Sequence, residues 1–177
     1  MDLTVINPYQ WYGKDLIHQF TFVLPIESPD NQDNIWSRMY FFGTGRANCL
    51  GVGGMNCVRR DQVEWFKQVS DEIPMDESTR GNGIAFMHHA LQEHMMLVND
   101  YAVKGQKRDH SNCQAVNTGL FAQMKESGTV KWVTAGGDHS TDFYGDYAGI
   151  TLSYGRKSGV GSYGPKFSQP GARILEL

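Results

Sequence analysis

The pattern of apolar and polar positions predicts nine elements in the order ββαβααβββ. Residues 20–26 (FTFVLPI) and 36–44 (WSRMYFFGT) read as strands, and the loop between them is rich in Asp, Asn, Ser and Pro. Two such runs joined by turn-forming residues predict a hairpin. Residues 61–73 place Val63, Phe66, Val69 and Ile73 on one helical face with charged residues opposite. Asp61 suits the positive end of that helix, and Pro74 closes it. Residues 83–88 (GIAFMH) read as a short buried strand. Residues 91–98 follow as a helix with Leu91, Met95 and Val98 on one face. Residues 117–127 predict another helix, capped by Asn117 or Thr118, with Leu120, Phe121 and Met124 inward and Gly128 just past its end. Residues 130–135 form an apolar, β-branched run, and 148–154 and 172–177 predict two further strands.

The strands at 83–88 and 130–135 are joined by a long helical crossover, which predicts parallel neighbours in one sheet. That pairing places His88 and His139 at the same end of the sheet, where α/β proteins hold their ligands. The second strand stops at Gly136-Gly137, then presents Asp138 and His139. Two imidazoles at adjacent strand ends make a metal half-site. His89 and His94 lie close by in sequence, so a mononuclear site using His88, His89 or His94, Asp138 and His139 is a smaller alternative. Ordinary polar packing is the competing reading for each of these histidines. The zinc-protease spacing does not fit, because Glu93 lies four residues after His89. The glycine-rich stretch 43–54 lacks the G-x-x-x-x-G-K-[ST] phosphate-loop pattern.

Composition narrows the classes. The 177 residues suffice for one domain with one core. The net charge is -3, and Lys104, Lys107 and Arg108 form only a small cluster, so nucleic-acid binding has little support. No apolar run approaches the roughly 18 residues that span a membrane. The start, MDLTVINPYQWYG, has no signal-peptide pattern, which favours an intracellular protein of unspecified compartment. Residues 1–19 have no clear period and carry Tyr9, Trp11 and Tyr12, as expected of an arm that docks on another surface, ahead of a domain over 20–177. Cys49, Cys57 and Cys113 are odd in number, and free thiols are the default, with a Cys49–Cys57 loop disulfide as the open alternative.

The words YFFGTG, DQVEWF, GIAFMHHALQEH, VNTGLF, TVKWVTAGGDHSTDFYG, GITLSYGRKSGVGSYG and GARILEL occur in an order and spacing that resemble a known family. The resemblance is to the carboxyl-terminal half of a calcineurin-like metallophosphoesterase, most closely the purple-acid-phosphatase-like branch. It implies an α/β fold: half of a layered sandwich, a mixed sheet with flanking helices, completed by a partner. In that family a binuclear metal centre lowers the pKa of a bound water, which attacks a phosphoryl group in line. The resemblance places a family ligand at His88. The family's G-H-x-H motif falls on Gly136, Gly137, Asp138 and His139, so Gly137 stands where the first histidine belongs.

The family's D-x-H, G-D-x-x-D and G-N-H-[DE] motifs do not occur upstream of the matching region. What remains is His88 and His139 as remnant ligands of low occupancy, with His89 and Asp138 as possible accessories. A stable catalytic site takes about three protein ligands plus water. The expectation is therefore a degenerate, metal-free structural or interaction subunit of a larger assembly, not catalytic alone. Half of a layered fold also exposes an apolar sheet face, so a second copy or a different protein partner is expected to cover it. The alternative is half of a phosphomonoesterase completed in trans, with a binuclear Fe, Mn or Zn centre.

Overall fold

The structure, a computed structural model, describes residues 20–28, 35–72, 78–108, 112–164 and 169–176. The expected arm over 1–19 and the expected inward residue Ile73 lie outside the described residues. The elements are β1 (Phe22–Glu27), β2 (Ile35–Phe42), β3 (Ala47–Cys49), β4 (Val52–Met55), α1 (Arg60–Glu72), β5 (Gly83–Met87), α2 (Gln92–Asp100), β6 (Lys104–Gln106), α3 (Leu120–Ser127), β7 (Val130–Ala135), β8 (Asp142–Tyr147) and β9 (Ile150–Tyr154). Among the described residues, seven strands form one sheet in the order β1-β2-β5-β7-β9-β8-β6, and β3 and β4 form a separate hairpin.

The sheet is mixed. β2, β5, β7 and β9 run parallel at its centre, while β1, β8 and β6 are antiparallel additions. The hairpin of the first two strands and the parallel β5–β7 pair are as the sequence predicts. Each connection between the parallel strands leaves and re-enters at opposite ends of the sheet. The carboxyl ends of β2, β5, β7 and β9 therefore share one edge, and there the candidate residues gather.

Alternation along the strands sorts the side chains onto two faces. On one face Tyr40 and Phe42 of β2 are buried against Phe66 of α1, with ring centroids 4.9 and 5.9 Å apart. Leu97 of α2 packs on Gly145 of β8, and Phe121 of α3 meets Tyr147 at 5.4 Å. Register puts all of these sheet positions on the same side, so the three helices share one face. The other face carries a row of half-buried rings. Phe22 stacks on Phe41 at 4.6 Å, Phe41 on Phe86 at 4.9 Å, and Trp132 on Tyr144 at 5.9 Å. Met39, Leu24 and the buried Ile84 share that side by register.

Several expectations are corrected. Residues 172–176 form no strand. That segment runs beside the ring-bearing face, where Arg173 pairs with Asp142 and its guanidinium lies 4.9 Å from the Tyr144 ring. β3, β4, β6 and β8 escape a reading based on apolar runs, because β3 has only three residues and glycine or acidic residues interrupt the others. The buried side of α2 is Glu93, His94 and Leu97 rather than Met95 and Val98, which are only partly buried. α3 begins at Leu120, with Asn117 accepting the Gly119 N–H, but Gly128 ends it as predicted, left-handed at φ 65° with its N–H on the Met124 carbonyl.

Candidate functional site

The parallel strand ends bring Gly137 against His88 and place His139 two residues further along the same turn. His88 follows β5 directly and its side chain is exposed. Its carbonyl accepts the Gly136 N–H at 3.3 Å, tying the end of β5 to the turn after β7. This close approach is what position 137 requires of its residue. A Cβ there would stand 2.9 Å from the His88 carbonyl oxygen and 3.6 Å from His88 Nε2. Glycine fits, and any larger residue would have to displace backbone.

His139 lies in the same turn and stacks on Tyr163, with ring centroids 4.1 Å apart. The Tyr163 hydroxyl donates to the Gly137 carbonyl at 3.4 Å and accepts from the His139 N–H at 3.5 Å. Nδ1 of His139 is buried with no hydrogen-bond partner among the described residues. Asp138 turns inward and is 1% exposed. Its carboxylate accepts the Ser140 N–H at 2.8 Å and the Thr141 hydroxyl at 2.5 Å. The carboxylate thus shapes the turn that holds His139.

Behind His88 sits His89, buried, with its ring 4.8 Å from that of His88. Nδ1 of His89 lies 3.1 Å from the Asn56 carbonyl. A carbonyl can only accept, so this contact assigns the proton to Nδ1 and leaves the lone pair on Nε2. Burial first and the neighbouring His88 second push the His89 pKa below its ordinary value, against two backbone hydrogen bonds that raise it. His89 is thereby kept neutral.

Two residues that the sequence reading passed over organise this corner. Asn56 supplies the carbonyl from the end of the β3–β4 hairpin, and its side chain accepts the Cys57 N–H at 2.9 Å. Gln114 accepts the Val58 N–H at 2.9 Å and donates to the His89 carbonyl at 3.0 Å. Neither has a periodic or motif signal. The cysteine default is also corrected: the hairpin brings Cys49 and Cys57 to a Cα separation of 5.4 Å and they are disulfide-bonded, while Cys113 stays free.

His94 is elsewhere. It is fully buried between α2 and β9, edge-on to Tyr154 at 5.8 Å, and burial pulls its pKa down to about 4. The Tyr154 hydroxyl is pushed well above its usual range, by burial first and then by Asp138.

Among the described residues, the side chains at this corner do not make up a binuclear metal centre. Position 137 offers no ligand, Asp138 is committed to its turn, and His94 is in the core. Among the described residues, no three His, Cys, Asp or Glu side chains form a group that could hold a metal ion. No helix of the described residues is long and apolar enough to cross a membrane.

No family model matches the chain. Two curated relatives from Arabidopsis thaliana do. The chain is 27% identical over 145 residues to a protein named probable inactive purple acid phosphatase 29, which covers 77% of this chain and 37% of the relative. It is 25% identical over 126 residues to probable inactive purple acid phosphatase 14, covering 67% of this chain and 31% of the relative. The chain thus spans about a third of the length of these relatives. The likeness drawn from the ordered words is to the same group of proteins, and the mixed sheet with flanking helices is consistent with half of a metallophosphoesterase-type fold.

Proposed function

From the premise that this chain is purple-acid-phosphatase-like over most of its length, we propose that it is a degenerate metallophosphoesterase acting as a structural or interaction subunit of a larger assembly. It is not catalytic alone. The observation that carries this reading is Gly137. By the family resemblance it falls where the G-H-x-H motif has its first histidine, and without a side chain it can supply no ligand beside His88. His88 and His139 are then remnant ligands, and a transition metal has too few donors to be retained. Both relatives are themselves named as probable inactive phosphatases.

The assembly part of the reading rests on the sheet. Its second face carries the Phe22–Phe41–Phe86 row, and a second copy of the chain or a different protein layer would complete a sandwich there. The competing reading, half of a phosphomonoesterase completed in trans, needs a partner that supplies the missing aspartate and histidine ligands to a binuclear Fe, Mn or Zn centre.

The experiment is hydrolysis of an aryl phosphomonoester by the isolated chain with Fe, Mn or Zn supplied. The expected result is no rate above buffer, for the natural chain and for Gly137→His alike. Restoring the histidine fails because its Cβ meets the His88 carbonyl, and thermal unfolding should show the variant destabilised by about 1–3 kcal/mol. Metal-dependent hydrolysis that disappears in His88→Ala and His139→Ala would sink the proposal.

A further inference from the structure

A cavity of about 440 Å³ opens at the opposite end of the sheet, where β5, β7 and β9 begin. Arg80, Lys125 and Lys131 line it, and none of its lining residues is acidic. Among the described residues, the ion pairs are Arg60–Glu64, Arg156–Asp142 and Arg173–Asp142, so none of the three cations is paired with a carboxylate. Arg80 donates to the Ser127 carbonyl at 3.4 Å and Lys125 to the Ala148 carbonyl at 2.5 Å. These bonds orient the two side chains toward neutral carbonyls, not toward a carboxylate of the described residues. Both also offset the negative end of α3. Lys131 has no such duty. It is exposed on β7, where the β5–β7 register shifts, and its side chain makes no hydrogen bond among the described residues.

Among the described residues, three cations without a carboxylate partner surround one concavity, and their summed field favours an anion there. We propose that this cavity binds a small phosphorylated anion, a phosphomonoester or diphosphate, held by Arg80, Lys125 and Lys131. A guanidinium fork and two ammonium groups match a multiply charged oxyanion better than a single carboxylate. Met124, Val130 and Ile150 line the rest of the cavity and would meet the less polar part of such a molecule. The site is separate from His88 and His139. The six residues of β7 lie between them, a span of about 20 Å.

The test uses pyrophosphate as the probe, titrated into the full chain and followed by backbone amide NMR. The expected shifts centre on Gly81, Gly128, Lys131 and Gly149, with affinity falling as salt rises. Lys131→Ala weakens binding about tenfold, Arg80→Ala with Lys131→Ala abolishes it, and His88→Ala leaves it unchanged. These side chains are exposed, so the variants keep the fold, as circular dichroism would verify. The proposal is overturned if pyrophosphate causes no shifts, if the shifts cluster around His88 and His139, if Lys131→Ala binds as before, or if acetate binds as tightly.

Discussion

Acidification from neutral pH to pH 4 should remove about 3 kcal/mol of stability through His94 alone. In the unfolded chain this histidine titrates near 6.5, and in the fold burial holds it down to about 4. Between those values the unfolded state binds the proton and the folded state does not. Stability from this group is therefore fully present above pH 6.5 and falls as pH drops toward 4. The cause is local and specific: a ring with 0% exposure, wedged between α2 and Tyr154, with no carboxylate set against it to stabilise the charged form. Urea unfolding at several pH values measures the slope. His94→Leu, of similar volume, should make the curve shallower in this window while leaving the part that His89 contributes. Parallel curves for the two proteins would show that His94 is not the group responsible.

Opening the Cys49–Cys57 disulfide should cost about 2–3 kcal/mol, the loop-closure entropy of a short cross-link. Both cysteines are fully buried, so the natural chain should lose its cross-link only on partial unfolding or with strong reductant. The consequence reaches the candidate site. The closed hairpin carries the Asn56 carbonyl that fixes the His89 tautomer. In the Cys49→Ala, Cys57→Ala double variant, hydrogen exchange should rise first in residues 47–57 and then around His89. Cys113→Ser should change neither. Intact mass with and without reductant should differ by the two hydrogens of one disulfide. Three free thiols in the non-reduced protein, or an unchanged unfolding midpoint in the double variant, would contradict this.

These effects also mark what a sequence can disclose here. The central parallel pair was legible because an apolar run, a long crossover and a second apolar run leave few topologies open. Gly128 was legible because a glycine after Leu120, Phe121 and Met124 has one obvious use. The placement of His88 and His139 at one end of the sheet followed from that topology, whereas the close approach of position 137 to His88 did not. Other features depend on what lies across the fold. β8 reads DFYGDY, with a glycine and two aspartates among its six residues, and becomes a strand because β9 pairs with it and Phe143 packs inward. The reverse holds for residues 172–176, which have strand-like composition but lie against Tyr144 on the ring-bearing face instead of extending the sheet. His94 looked like a candidate ligand by proximity to His88. A helical turn instead carries it into the core, since α2 packs through Leu97 on Gly145. Gln114 and Asn56 satisfy backbone groups from distant parts of the chain, and such roles leave no local trace.

The proposed state is a metal-free chain whose ring-bearing sheet face is covered by another polypeptide. Native mass spectrometry of the protein purified from its source tests both halves together. The predicted result is an assembly heavier than the 19.9 kDa chain, with no transition metal bound. An assembly carrying two transition metals would contradict the loss of catalysis and favour a site completed in trans. A metal-free monomer of 19.9 kDa would contradict the covered face.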